Sequence, residues 1–210
     1  MTADRGIVLK NINKAFDGRQ VLTDVCLDLP SHGLVSINGS SGSGKTTLIN
    51  IIMGLLKPDS GLVSGNSLTG MAVVFQEDRL LPWYDLFENI LFVCRDKALC
   101  EKWIDAMELS DDVRKYPEEL SGGMKRRVAI ARAMVCFEER SGSLLILDEP
   151  FKGLDDDLRK RVIDKVIPLA VKQALVVLIS HDKEDCEYIS NFMTKVDEMQ
   201  INNLEVVYYA

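Results

Sequence analysis

Four short apolar runs punctuate the chain, and each ends on polar or conformationally special residues: "LVSIN" at 34–38, "MAVVFQ" at 71–76, "SLLILDEP" at 143–150 and "ALVVLISHD" at 174–182. Their hydrophobicity is continuous rather than alternating, which predicts strands buried on both faces, as in a parallel sheet covered by helices. Between them, apolar positions recur at helical spacing over 45–56, 97–107, 122–137 and 158–172. This alternation predicts an α/β domain with an insertion at roughly 85–120. Near the start, "IVLKNINKAF" and "QVLTDVCLDL" alternate apolar with polar residues and predict half-buried antiparallel strands. The tail, "TKVDEMQINNLEVVYYA", predicts a hairpin turning about Asn202 and Asn203.

Composition narrows the class. With 210 residues, 47% hydrophobic and 27% charged, the chain reads as one soluble globular domain. No apolar run approaches the roughly 20 residues that span a bilayer, and "MTADRGIVLK" lacks the apolar core of a secretion signal. The expectation is a cytosolic protein whose membrane role, if it has one, runs through a partner. A net charge of −7 argues against broad nucleic-acid binding, so an anion would need a local site built from backbone. The basic trio Lys125, Arg126 and Arg127 reads as a solvated helix face. Five scattered cysteines without a CxxC pair predict reduced thiols packed as small hydrophobes.

Candidate chemistry gathers at the strand ends. "GSSGSGKTT" at 39–47 follows one predicted strand and opens a helix, matching the phosphate loop G-x-x-x-x-G-K-[ST]. Its glycines, Gly39, Gly42 and Gly44, with Ser40, Ser41, Ser43 and Thr47, let successive N–H groups curl around phosphate oxygens at a helix N-terminus. Lys45 is expected to pair with the β- and γ-phosphates, and the Thr46 hydroxyl to ligate Mg²⁺. In "LLILDEP" strand alternation would point Asp148 and Glu149 to opposite sides, giving them separate tasks. Asp148 suits Mg²⁺ through water, and Glu149 suits a general base on the water attacking the γ-phosphate. Asn38, Gln76 and His181 end other predicted strands, the rim where open α/β sheets bind ligands. Gln76 is placed to touch Mg²⁺ or the water, and His181 to donate to the γ-phosphate.

One stretch, "LSGGMKRRVAIARAM" at 120–134, starts a good helix with two glycines, each costing about 1 kcal/mol in a helix interior. Ser121 is a suitable N-cap, and Gly122 and Gly123 expose N–H groups with the helix dipole behind them. One nucleotide does not need two such sites from one chain, so this start is expected to bind the γ-phosphate of ATP held by another copy.

Taken in order, "GSSGSGKTT", "VFQEDRLLPW", "LSGGMKRRVAIARAM", "LLILDEP" and "LISHD" resemble the motifs of ATP-binding cassette (ABC) ATPases over nearly the whole chain. The resemblance implies a single domain over 1–210: a P-loop core of about 1–84 and 138–210 with a mainly parallel sheet and an N-terminal antiparallel β subdomain, and a helical insertion of about 85–137 carrying the signature. It implies a head-to-tail dimer, with itself or a paralogous cassette, enclosing two ATP between phosphate loop and signature. It further implies that Phe16 stacks on adenine and that Asp155, in "FKGLD", lies in the loop that communicates across the dimer. Lys152 and Gly153 stand there where the family commonly has small residues. "VFQEDRLLPWYDLFENI" is similar to the ATPases of nitrate, sulfonate and taurine importers, which implies docking of a membrane subunit near 76–87 and, indirectly, a substrate-binding protein. Leu80, Leu81, Pro82, Trp83, Tyr84 and Phe87 form the apolar cluster expected to make that contact; Leu86, Phe87 and Ile90 also fit a buried helix face. A soluble ABC ATPase of translation or DNA repair is the alternative.

Overall fold

A computed structural model describes residues 6–65, 70–180 and 182–209. In chain order its elements are β1 (Val8–Phe16), β2 (Arg19–Asp28), β3 (Gly33–Asn38), α1 (Lys45–Ile52), β4 (Ser60–Ser64), β5 (Met71–Val74), α2 (Leu86–Leu91) and α3 (Lys97–Ala106). There follow α4 (Gly122–Glu139), β6 (Leu144–Asp148), α5 (Asp156–Val171), β7 (Leu175–Ile179), α6 (Lys183–Ile189), β8 (Lys195–Ile201) and β9 (Leu204–Tyr209). The chain divides into two compact units, residues 1–69 with 171–210, and residues 70–170.

In the first unit, β1 pairs antiparallel with β2 and with β4. The β1 and β2 partners are the two alternating segments read from sequence; β4 was not anticipated, because "SGLVS" has too few apolar residues to show a period. The same unit holds β3, paired parallel with β7 on one side and antiparallel with β9 on the other, and β9 pairs back on β8. The tail hairpin turns at the expected asparagines, and Asn202 takes the left-handed φ of 56° that asparagine tolerates in such turns. β7 is buried at every position, as its continuous run of apolar residues requires.

The second unit carries the parallel pair β5 and β6 with helices α2 to α5. β6 is buried throughout, and each fully buried Leu or Ile contributes about 1.5–3 kcal/mol. The strands are shorter than their apolar runs suggest: β5 stops at Val74 and β6 at Asp148, leaving the polar residues beyond them in turns. Short helix α6 also escaped the sequence pattern, being mostly polar apart from Cys186 and Ile189. Of the thiols, Cys94 and Cys100 are buried and Cys136 and Cys186 partly so, but Cys26 is exposed on β2, against the expectation that all five would be packed.

Candidate active site

In the first unit the phosphate loop runs from Asn38, the last residue of β3, to Lys45, the first of α1. Gly42 and Gly44 take φ of 78° and 98°, left-handed values that a Cβ would penalise. Lys45 is largely buried and curls back to donate to the carbonyls of Gly39 (2.6 Å) and Ser40 (3.0 Å). Those bonds hold an ammonium across the mouth of the loop, where phosphate oxygens would replace the carbonyls. Among the described residues, Ser43 Oγ is a buried hydroxyl with no hydrogen-bond partner. A buried orphan donor beside an ammonium fits a bound phosphate group. Thr46, Ser40 and Ser41 are exposed and Thr47 partly so, leaving the Thr46 hydroxyl accessible to a cation.

Phe16, at the end of β1, is 45% exposed, which excludes a core role for its ring. Lys14 lies over the ring, 5.4 Å from its centroid. Asp59 anchors this segment, pairing with Lys14 Nζ at 2.6 Å and accepting from Ala15 N at 2.7 Å. The Lys14 hydrogen bond, with that of Ala15, holds the Asp59 carboxyl below its ordinary value.

In the second unit β6 delivers Asp148, whose side chain is nearly buried. Glu149 is not the next strand position: its φ is 47°, so a left-handed turn, not strand alternation, sets the two carboxylates apart. Gln76 is exposed, two residues past the end of β5.

The residue joining these parts is Arg126, which sequence reasoning had assigned to a solvated face. It is 3% exposed. Its Nε donates to Pro150 O (2.9 Å), its Nη2 to Asp148 O and Glu149 O (both 2.6 Å), and its Nη1 to Phe75 O (2.6 Å), Gln76 O (3.4 Å) and Asp78 Oδ1 (3.2 Å). One guanidinium thus fastens the signature helix to both strand-end segments, a geometry that its planar fork permits and an ammonium does not. Burial lowers its pKa, opposed by Asp78. The signal was present in sequence: 126, 130, 133 and 137 share one helix face, and Ile130, Ala133 and Phe137 are buried on it. Arg132 adds bonds to the carbonyls of Asp78 (2.8 Å) and Arg79 (2.9 Å).

Ser121 caps α4 as expected, accepting from Met124 N at 3.3 Å. This leaves its O–H free to donate elsewhere. The two glycines have different reasons. A Cβ on Gly123 would meet the carbonyl of Gly153 at 3.2 Å, so the turn after β6 packs on it; a Cβ on Gly122 would meet nothing within 4 Å. Asp155 accepts from Leu158 N (2.9 Å), capping α5 within its own chain.

Beyond Gln76, the side chain of buried Asn89 donates to the carbonyls of Leu81 (3.1 Å), Tyr84 (2.9 Å) and Asp85 (3.0 Å) and accepts from Leu81 N (2.8 Å). The loop so tied presents Trp83 at 67% exposure, while Leu86 and Ile90 face inward at 0% and Phe87 is half-buried. Phe92, 65% exposed, extends the patch through Tyr84, ring centroids 6.1 Å apart. His181 lies outside the described residues.

No group of three or more His, Cys, Asp or Glu among the described residues could hold a metal. Thr46 in the first unit, and separately Asp148 in the second, each offer an oxygen of the kind that would suit Mg²⁺ as it is usually bound beside a nucleotide, through one or two protein oxygens with phosphate oxygens and water.

A glycine-rich phosphate loop between strand and helix, and a strand ending in paired carboxylates, define a phosphate-loop ATPase domain. The ABC transporter family model matches residues 22–152. The chain is 35% identical over 191 residues to the aliphatic sulfonates import ATP-binding protein SsuB 1 of Paracoccus denitrificans, covering 88% of this chain and 76% of that protein. It is 34% identical over 203 residues to SsuB of Bacillus thuringiensis subsp. konkukian, covering 91% and 79%. Among solved structures it resembles a dimeric post-hydrolysis ATP-binding cassette bound to ADP and Pi, with a TM-score of 0.76, 27% identity, and coverage of 87% of this chain and 90% of that one. The ATP-binding subunit of another ABC transporter shares the fold, with a TM-score of 0.74 and 24% identity over 86% of this chain and 81% of that one. The chain belongs to the ABC transporter family, as an ATP-binding, ATP-hydrolysing subunit.

Proposed function

We propose that the chain is one of two cassettes driving an importer, each ATP being held by the phosphate loop of one copy and the signature helix of the other. The observation that carries this reading is the start of α4. A capped helix presents an open glycine and a free hydroxyl to solvent, while Arg126 fixes that same helix to the backbone of Asp148 and Glu149. Movement of the helix start on closure over a phosphate therefore reaches the carboxylates directly.

In this reading Lys45 and the loop N–H groups hold the β- and γ-phosphates, and Phe16 stacks on adenine. Glu149 orients and deprotonates the attacking water, Gln76 contacts that water or the cation, and His181 donates to the γ-phosphate. Asp155 communicates across the dimer. Thr46, and Asp148 through water, would hold Mg²⁺, which would supply neutralisation of phosphate charge when bound.

The exposed patch around Trp83 is the dock for an integral membrane subunit, placing the chain at the cytoplasmic face of the membrane. No helix among the described residues is long and apolar enough to cross a membrane. The relatives are named for aliphatic sulfonate import, which favours import over the translation or repair alternative and makes sulfonates the first solutes to test.

Two experiments test the reading. Glu149→Gln should keep ATP binding, lose most turnover and run as an ATP-dependent dimer in size-exclusion chromatography at high protein concentration; a strictly monomeric variant at saturating ATP refutes the shared site. Affinity purification of the tagged chain from mild-detergent membranes should recover a multi-spanning subunit. Recovery of ribosomes or DNA alone refutes the transport role.

A further inference from the structure

We infer that Lys152 is a positioning residue that restrains hydrolysis by holding the Glu149 carboxylate in an ion pair, away from the water that the carboxylate must orient. The inference rests on the assignment of Glu149 as general base.

The chain after β6 turns so that Lys152 N donates to Glu149 O at 3.3 Å. That turn brings the Lys152 side chain back over the residue it follows, with Nζ 3.5 Å from Glu149 Oε2. The backbone of Glu149 is fixed twice over, by its left-handed φ of 47° and by the 2.6 Å bond from Arg126 to its carbonyl. Only the side-chain torsions of Glu149 remain to choose where the carboxylate points, and the ammonium biases them. The pair is lopsided: the Glu149 side chain is 14% exposed and that of Lys152 is 62% exposed. The base is therefore sheltered, while the cation holding it is within reach of solvent and of any second copy that closes on this face. At 3.5 Å the contact is an ion pair and not a hydrogen bond, so its hold is electrostatic: a carboxylate facing an ammonium draws a water proton less strongly. A pair with one exposed arm is also weak, so closing surfaces can displace it. Gly153, at φ 80°, follows directly and its carbonyl lies against Gly123, so the segment carrying Lys152 is in register with the start of the signature helix. Closure at that helix start is thus placed to move Lys152 off Glu149. The ion pair is a resting-state catch that ties release of the base to assembly of the site.

The test is steady-state ATPase kinetics on the full chain, with Mg²⁺ and varied ATP. Lys152→Gln should raise kcat about two- to fivefold, the range that a half-exposed pair supports, with KM for ATP unchanged because the ammonium's partner is the Glu149 carboxylate, which acts in turnover and not in holding the nucleotide. Lys152→Arg, which keeps the cation, should return kcat to the parent value; a role confined to turn stability would not sort the variants by charge. Lys152→Ala serves as a second neutral variant should Lys152→Gln not fold. The inference is overturned if neutral variants leave kcat unchanged or lower it, or if Lys152→Arg is as fast as Lys152→Gln. Glu149→Gln separates the two readings: if it turns over like the parent, Glu149 is not the base. If it is inactive while Lys152→Gln equals the parent, the base assignment stands and the catch alone fails.

Discussion

Replacing Arg126 by Met removes the guanidinium but keeps an unbranched apolar stem of similar reach. Five carbonyls (Phe75, Gln76, Asp148, Glu149 and Pro150) and the Asp78 carboxylate then lose their shared donor. At about 1–3 kcal/mol for each buried acceptor left unpaired, six acceptors set an upper limit of about 18 kcal/mol. Some acceptors lie near the surface, Gln76 and Asp78 among them, and water will satisfy those. The expected loss is therefore about 3–5 kcal/mol, the range found when one partner of a buried ionic network is removed. In a chain of this length that lowers Tm by roughly 6–20 °C. Both tryptophans, Trp83 and Trp103, belong to the second unit, so urea unfolding followed by their fluorescence reads the unit that Arg126 ties together. Arg126→Lys should recover less than half of the loss, because three donors on one nitrogen cannot span acceptors on both strand-end segments. ATPase activity should fall in both variants, since the backbone carrying Asp148 and Glu149 is released. A loss below about 1 kcal/mol, or full recovery with Lys, would refute the view that the fork organises the site.

Asn89→Ala should cost about 2–3 kcal/mol by orphaning one buried and two partly buried carbonyls of the 81–85 loop, and should shift Trp83 emission; unchanged emission would show that Asn89 does not set the exposed patch. Asp59→Asn removes a carboxylate whose folded pKa is depressed by the Lys14 and Ala15 hydrogen bonds. A depressed carboxylate adds stability above its unfolded pKa of about 4 and loses it as pH falls through the folded value. The Tm gap between parent and Asp59→Asn should therefore narrow below pH of about 4, and a constant gap contradicts the ion pair. Maleimide labelling of the native chain at neutral pH, read by mass spectrometry, should modify exposed Cys26 first. Cys100, buried and with its thiol pushed up to about 12 chiefly by that burial, should react only after unfolding; early labelling of Cys100 would mean that the helical region opens.

The parts of this molecule that were legible in sequence are those in which one local rule suffices. Continuous apolar runs located β3, β6 and β7 because a strand buried on both faces has few polar positions to spare, and located β5 although its burial alternates. Alternation gave β1 and β2, and paired asparagines gave the tail hairpin. The phosphate loop announces itself because glycine, lysine and threonine at fixed spacing between a strand and a helix match one motif, and Gly42 and Gly44 take left-handed φ values that favour glycine. The illegible parts depend on tertiary partners. β4 is ordered by pairing with β1, and its own composition says little. Glu149 looked like a strand residue, yet the left-handed turn that redirects its side chain is imposed after the strand has ended.

Gly122, Gly123 and Arg126 show where the two kinds of information meet. Two glycines opening a helix read as one signal, for a phosphate approaching close to backbone. In the fold they are separate devices: Gly123 admits the carbonyl of Gly153 from its own chain, and Gly122 faces open space. Only the second leaves room for an outside ligand, so the proposed shared site rests on Gly122 and on the Ser121 hydroxyl, not on the glycine pair. Gly123 instead ties the helix start to the turn that carries Lys152, and Arg126, three residues on, ties it to the backbone of Glu149. A charge reads as surface when taken one residue at a time and as structure when placed on its helical face with Ile130, Ala133 and Phe137. A Gly123→Ala variant separates these roles. Its Cβ presses on the Gly153 carbonyl at 3.2 Å, so it should perturb turnover without removing the open N-terminus that Gly122 provides. A Gly122→Ala variant, with room for its Cβ in the isolated chain, should fold and bind ATP normally and lose activity only when two copies must close. If Gly122→Ala instead destabilised the monomer, the open space at that position would not be a docking site for a second chain's nucleotide, and the shared-site argument would lose its footing.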